Sequence, residues 1–160
     1  MIELPTGLDQ LLRADFVKLT IAFLLTFPIA YDRERNTQIM GLRTFPLVAL
    51  ATCSYVLISL TIVDNNSSEV QARIIQGVIT GIGFIGGGAI LKREEKVLGT
   101  ASAASIWTTG AIGLAAAYAR YDIAVFLAIA NFFILRSLTR LKSELAKHEV
   151  ADGQDSEQTE

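Results

Sequence analysis

The sequence has few of the residues that cross-link a chain, bind transition metals or act as nucleophiles. Its 160 residues include one cysteine, Cys53, and one histidine, His148. A single cysteine cannot form an internal disulfide, and one Cys with one distant His supplies neither a His/Cys metal cluster nor a nucleophile with its base. A net charge of −2 leaves no basic stripe for a phosphate backbone, which excludes a nucleic-acid binder. We therefore expect a protein that is not an enzyme and holds no cofactor.

Charged residues are also absent from five long stretches, although the chain has 30 of them in all. A helix of a soluble domain carries a polar or charged residue every three or four positions on its wet face. The five stretches have none, and together they amount to 87 residues, over 19–31, 44–63, 74–91, 97–119 and 123–135. With a mean hydropathy of +0.43, this pattern predicts that lipid surrounds most of the chain.

The lengths of these stretches predict an all-α, polytopic membrane protein. About 20 apolar residues are needed to cross a bilayer. The first stretch reaches this length only if Lys18 extends to the interface, and the fifth only if Arg136 does. We expect one transmembrane domain, residues 1–147, and a disordered acidic tail, residues 148–160. The five predicted spans are about 16–31, 44–63, 74–91, 98–119 and 121–138, and the last two form a tight hairpin.

Lysine and arginine residues give the expected orientation, because positive charge accumulates in cytoplasmic loops. With five spans and an external N-terminus, ten of the fourteen fall inside and four outside. Omitting the fifth span reverses this bias, whereas omitting the first does not. An acidic sequence precedes the first span and Asp32-Arg33-Glu34-Arg35 follows it, which does not fit a cleavable signal peptide. We expect a multi-pass membrane protein with an external N-terminus and a cytoplasmic C-terminus.

The third span contains half of the chain's glycines, within residues 77–88. In membranes, small residues let neighbouring helices approach closely, and two G-x-x-x-G pairs occur here. The favoured interpretation is a packing seam made of Gly77, Gly81, Gly83, Gly86, Gly87 and Gly88. Alternatively, the three consecutive glycines interrupt the helix and free carbonyl groups to line a polar cavity. The literal G-x-G-x-x-G match over 81–86 is a false positive for dinucleotide binding, because no strand precedes it.

The fourth span carries small residues at helical spacing, which suit docking against the glycines of the third span. They include Ala101, Ala104 and Thr108. Asn131 lies deep in the fifth span, where an interhelical hydrogen bond is its expected role.

The junction of the first two spans is rich in charge: Asp32, Arg33, Glu34, Arg43 and Thr44 form a candidate polar binding site. They can serve simply as a helix end and as positive anchors. Alternatively, Asp32 and Arg43 pair at the rim of the hydrocarbon, where an unpaired charge is costly. Such a pair would hold the two spans together or contribute to an ion or ligand site.

Three blocks of the sequence resemble the membrane domain of the MgtC/SapB family. They are Asp32-Arg33-Glu34 with Gly41-Leu42-Arg43-Thr44, Thr80-Gly81-Ile82-Gly83-Phe84-Ile85-Gly86 with Gly88-Ala89-Ile90, and Gly99 to Trp107 with Ile112-Gly113. The chain departs from the common pattern at Asp32, where the family usually has glutamate, and at Phe45, where histidine is frequent. It is similar to the short members, which lack the soluble C-terminal domain of the founding proteins.

The resemblance implies an inner-membrane protein that supports survival under magnesium limitation and, in pathogens, within host cells. It also implies modulation of other membrane proteins, a role proposed for the family with ATP synthase as one target. We expect a non-enzymatic regulator whose partners are the lipid bilayer and another membrane protein or a second copy of itself. The alternative is a transporter of ions or small solutes, including Mg²⁺.

Overall fold

The computed structural model describes residues 6–36, 40–62, 68–93 and 96–137. The predicted acidic tail lies outside these residues. The described part forms five helices: α1 Thr6–Asn36, α2 Thr44–Ile62, α3 Ser68–Gly88, α4 Thr100–Ala117, and α5 over residues 121–137. The predicted helical class is therefore confirmed. Between α3 and α4 lie two short strands that the sequence did not predict, β1 Leu91–Arg93 and β2 Lys96–Leu98.

Two of these helices contain stretches long and apolar enough to cross a membrane. They are Arg13–Arg35, with 23 residues, and Thr44–Ile62, with 19 residues. The first includes the predicted span of 16–31, and the second covers the predicted span of 44–63 up to residue 62, after which the chain lies outside the described residues. Helix α1 is longer than the predicted span of 16–31, because the helix continues at both ends into charged sequence. Arg33 and Arg35 lie in its last turn, where the helix dipole favours positive charge.

Helix α3 ends earlier than the uncharged stretch that contains it. The stretch runs to Leu91, but the helix stops at Gly88, and Ala89 and Ile90 donate short-range bonds to Gly86 (3.0 Å) and Gly87 (3.1 Å). Consecutive glycines have low helix propensity, so the helix has little to sustain it there. The third span, predicted to end at 91, is therefore too long, and its last residue belongs to β1.

The connection between α4 and α5 is the tight hairpin that the sequence predicted. Ala119 adopts φ +54°, and the amides of Ala119 and Arg120 bond back to the carbonyls of Ala116 (3.0 Å) and Ala115 (2.8 Å). This is the bonding pattern of a Schellman helix end. Arg120 then pairs with Asp122 at 3.0 Å, and this carboxylate raises the pKa of the Arg120 guanidinium above its usual value.

Helix α4 is the centre of the bundle. Among α1, α2 and α3, it packs most extensively on α2, it bonds to α5 through Ser105, and ten of its 18 residues are buried. The core around it combines isoleucines and one phenylalanine with alanines, including Ile29, Phe45, Ile106, Ile112, Ala116 and Ala117. Such small side chains allow close helix approach.

Two contacts show which helix ends lie together. Ser105, near the start of α4, bonds to Asn131, near the end of α5, so the two helices are antiparallel. Asp32, near the end of α1, pairs with Arg136 of α5. One end of the bundle therefore contains the end of α1, the start of α4 and the end of α5. It is here called the hairpin end, after the β-hairpin of β1 and β2 that joins α4 there. The tight connection between α4 and α5 lies at the opposite end.

Candidate functional site

The charged junction between α1 and α2 is held together by Glu34. Its carboxylate accepts a hydrogen bond from the Leu42 amide at 3.0 Å, just ahead of the first turn of α2. That turn has no acidic residue of its own, so Glu34 of the preceding helix supplies negative charge where the helix dipole favours it. Gly41 is required here because a side chain at this position would collide with Glu34. Glu34 thus acts as a clamp on the start of α2.

Asp32 has a different partner from the one that the sequence suggested. It is only 7% exposed, and its Oδ1 atom lies 3.7 Å from the Nη1 atom of Arg136 on α5. Arg43 is exposed, and the structure shows no ion pair between it and Asp32 among the described residues. The Asp32–Arg43 pair, the alternative interpretation of this junction, is therefore wrong. The acid joins α1 to α5 rather than α1 to α2.

Two further features mark the surroundings of Asp32. Its Oδ2 atom is buried and accepts no hydrogen bond from the described residues. Arg33, the next residue, is also buried, with 2% of its surface exposed. Of the predicted polar site, the structure thus buries Asp32 and Arg33 at the hairpin end, uses Glu34 as a clamp, leaves Arg43 exposed, and places Thr44 at the first residue of α2.

The prediction that the glycines of α3 form a packing seam within this chain is wrong for five of the six. In the part of the chain that the structure describes, a Cβ added at Gly77, Gly81, Gly83, Gly87 or Gly88 would meet no atom within 4 Å. Only Gly86 makes the expected contact, since an added Cβ would lie 3.2 Å from the Ala103 carbonyl oxygen of α4. The small residues of α4 that were predicted to pack against these glycines are not buried either. Ala101 and Ala104 are exposed, and Thr108 is half-buried.

The close glycine contacts belong instead to α4, where the sequence analysis placed none. A side chain at Gly113 would collide with the Ala49 carbonyl of α2, and one at Gly110 with the Ile82 side chain of α3. The three-residue spacing of Gly110 and Gly113, followed by Ala116 and Ala117, is the signal that could have identified this face. The number of glycines alone had indicated α3 as the helix with the close contacts.

Asn131 forms the interhelical hydrogen bonds predicted for it. Its Nδ2 atom donates to the Ser105 carbonyl at 3.3 Å, and its Oδ1 atom accepts from the Ser105 hydroxyl at 2.9 Å. Thr109 donates to the same carbonyl at 2.9 Å. All three side chains are buried, so α4 and α5 share a satisfied polar cluster in the interior of the bundle.

An apolar groove of about 640 Å³ opens between α2 and α3. Its lining includes Ala51, Tyr55 and Ile58 of α2 and Gly77, Gly81 and Ile85 of α3. Among the described residues that line it, Tyr55 carries the one ionisable side chain. Nearby on α3, Phe84 is 86% exposed. Much of the glycine-rich helix therefore presents an open surface.

The model of the MgtC family matches residues 19–144, which includes the α1–α2 junction, the glycine-rich helix and the α4–α5 pair. The chain belongs to the MgtC family. The resemblance noted in the sequence is thereby confirmed, and with the apolar helices it supports a membrane protein.

Several curated proteins are similar to this member of the MgtC family. Protein SrpB of Synechococcus elongatus is 32% identical over 78% of this chain and 73% of its own length. The putative magnesium transporter YhiD of Escherichia coli is 28% identical over 82% of this chain and 64% of its own. Protein MgtC of Brucella abortus is 33% identical over 75% of this chain. The match spans only half of that protein. No solved structure matches the chain significantly.

Proposed function

We propose that this chain crosses the bacterial inner membrane five times and regulates another membrane protein, without catalysis, by packing α3 against one of that protein's helices. The charge distribution supports the topology. Most of the cations expected inside belong to segments at the hairpin end. Arg13 on α1, Arg73 on α3 and Arg120 just beyond the end of α4 lie far from it. At 1.5 Å per helical residue, Arg13 is nearly 30 Å along α1 from Asp32. Cations at the hairpin end then face the cytoplasm.

The open glycine face of α3 is the observation that carries the regulatory role. Glycine costs about 1 kcal/mol relative to alanine in a helix exposed to water, and a Cβ added at five of the α3 glycines would meet no atom of the described residues within 4 Å. In a bilayer, such residues permit backbone contact with another helix. The groove beside them, lined by Gly77 and Gly81, gives that helix a depression to enter.

The test places a photo-crosslinking residue at Phe84 in cells. We expect a specific membrane-protein adduct that Gly81→Leu abolishes while the variant itself remains folded, because an added Cβ at Gly81 meets no atom of the described residues within 4 Å and the groove beside it is open. A crosslinker at Phe126 of α5, which is 70% exposed, is the matched control. Equal adducts at both positions, or an adduct insensitive to Gly81→Leu, would contradict the proposal.

A second candidate function is ion transport, with Mg²⁺ as the first ion to test. It is favoured by the buried carboxylate of Asp32, whose Oδ2 atom accepts no hydrogen bond from the described residues, and by the YhiD relative named as a putative magnesium transporter. Liposomes containing the purified protein would be assayed for Mg²⁺ and monovalent-cation flux. Robust flux that disappears in Asp32→Asn would favour transport over regulation.

A further inference from the structure

Two arginines at the hairpin end are each held over an aromatic ring of the same helix. The Cζ atom of Arg35 lies 5.5 Å from the ring centre of Tyr31 on α1, and that of Arg136 lies 5.9 Å from the ring centre of Phe132 on α5. In both helices the ring precedes the arginine by four residues, about 6 Å along the helix axis. The same arrangement therefore occurs on two helices whose ends lie together.

Asp32 shows that the two arginines are close to each other. Its Oδ1 atom lies 3.7 Å from the Nη1 atom of Arg136. Arg35 follows Asp32 by three residues on α1, so that their Cβ atoms are about 5–6 Å apart. Both arginines thus lie beside the same carboxylate. The four side chains of the two arginine–ring pairs are here called the arginine cluster: Tyr31, Arg35, Phe132 and Arg136.

Both arginines of the cluster have unused hydrogen-bond donors. Arg35 is exposed and Arg136 is about half exposed, and neither donates a hydrogen bond within the part of the chain that the structure describes. A guanidinium has five N–H donors and can bind a phosphate with two of them at once. Because a stacked ring orients the guanidinium through its face, the donors at its edge stay available. The cluster therefore offers two oriented guanidinium groups to an anion.

The described acidic residues near the cluster leave it positive. Asp32 is buried and faces Arg136, and Glu34 accepts the hydrogen bond of the Leu42 amide. With Arg33, the charged residues of this group are three cations and two anions. Since the carboxylate of Asp32 is buried while the guanidiniums reach the surface, an incoming anion meets the cations first.

We propose that the arginine cluster binds the phosphate headgroup of an anionic phospholipid. The two rings match the aromatic belt at the membrane interface, and the guanidiniums, one turn nearer to the helix ends, match the level of the phosphates. Basic sites between transmembrane helices on the cytoplasmic side bind anionic headgroups. Depth and charge complementarity therefore both favour a lipid. The inference rests on the proposed location in a bilayer, but it holds equally for a regulator and a transporter.

The experiment measures lipid selectivity with spin-labelled lipids in membranes that contain the full chain. Lipids in contact with the protein give a motionally restricted component in the electron paramagnetic resonance spectrum. We expect a larger restricted fraction for phosphatidylglycerol than for phosphatidylcholine. Arg35→Gln should lower the relative association constant of phosphatidylglycerol about fivefold, the effect of one cation. This variant keeps the pair between Asp32 and Arg136, so it should remain folded.

Arg43→Gln is the matched control, because it removes the same charge from an exposed residue at the start of α2, outside the cluster. The comparison is made in 1 M NaCl, where the Debye length is about 3 Å and only direct contacts persist. Arg35→Gln should still weaken binding there, whereas Arg43→Gln should not. Equal losses in the two variants would indicate a diffuse surface charge instead of a site and would overturn the proposal.

Arg136→Lys tests the geometry of the contact separately from its charge. Lysine keeps a cation beside Asp32 but lacks the paired donors of a guanidinium. The association constant of phosphatidylglycerol should therefore fall in this variant too. If Arg136→Lys bound the lipid as well as the natural chain does, paired recognition of a phosphate by Arg136 would be wrong.

A full-length variant tests whether an acidic segment fills the cluster in place of lipid. It carries amides instead of the carboxylates that lie outside the described residues at the predicted cytoplasmic side, namely Glu94, Glu95, Glu144, Glu149, Asp152, Asp155, Glu157 and Glu160. In 1 M NaCl its preference for phosphatidylglycerol should equal that of the natural chain. A strong rise would show that one of these segments occupies the cluster, and displacement of the lipid by inorganic phosphate would show a site for a soluble anion. Either result would overturn the inference.

The same spectra separate a failure of this inference from a failure of the proposed topology. Restricted lipid with no preference for phosphatidylglycerol would overturn the inference alone. If no lipid of either class gave a restricted component, the chain would not contact acyl chains, and the proposed membrane location would be wrong as well.

Discussion

At the scale of one residue, the packing of this bundle leaves no space for a side chain at Gly113. A Cβ atom there would collide with the Ala49 carbonyl of α2, and backbone cannot rotate away as a side chain can. We expect Gly113→Ala to lower the free energy of unfolding by about 1–3 kcal/mol, the usual effect of overpacking. Thermal unfolding in detergent micelles measures it.

Gly81→Ala is the control for Gly113→Ala, because an added methyl at Gly81 meets nothing within 4 Å. Its stability should be unchanged or higher by up to about 1 kcal/mol, the gain in helix propensity. If both variants lost the same stability, the assignment of the close contact to α4 would be wrong.

Asn131 is the residue whose role the sequence predicted best. Its side chain and Ser105 exchange bonds of 2.9 and 3.3 Å in the interior. We expect a coupling free energy of about 0.6 kcal/mol, and at most about 1.7 kcal/mol, between Asn131→Ala and Ser105→Ala. A double-mutant cycle of unfolding free energies measures it, and strictly additive single effects would refute the bond.

At the scale of the helices, the Asp32–Arg136 pair joins α1 to α5 at 3.7 Å. Arg136 is about half exposed while Asp32 is buried, so removing the cation leaves a buried carboxylate with less compensation. We expect Arg136→Gln to destabilise the protein by about 1–3 kcal/mol, below the range for a fully buried pair.

Asp32→Asn added to Arg136→Gln should restore part of that stability, since the uncompensated charge is then gone. Chemical unfolding of both proteins in the same detergent tests the difference. Arg43→Gln is the matched control, because Arg43 is exposed and makes no ion pair with Asp32 in the described structure. If Arg43→Gln lowered the free energy of unfolding more than Arg136→Gln did, the result would support a pair between Asp32 and Arg43 instead.

At the scale of the whole molecule, the five-span topology makes a simple prediction about access from each side. In a Cys53→Ser background, Val70→Cys at the start of α3 should react with a membrane-impermeant thiol reagent in intact cells, because that residue is exposed and lies at the end opposite the hairpin. Lys92→Cys should react only after permeabilisation. Reaction of both in intact cells would refute the topology.

The sequence predicted the helices well and their contacts poorly. The long uncharged stretches located all five helices, and the isolated amide of Asn131 indicated an interhelical bond. The partner of Asp32 was missed because Arg43 is near in sequence whereas Arg136 is 104 positions away. The strands were missed because the uncharged stretch continues past Gly88 into β1.

The sequence alone determined the apolar, helical character of this chain, since hydropathy and helix propensity are properties of local segments. Only the tertiary structure decided which small residues touch. A glycine becomes a packing site only when the rotation and offset of two helices bring another backbone to it, and those quantities depend on every side chain in the interface. For this reason Gly113 is enclosed while Gly81, in the richer motif, faces an open groove.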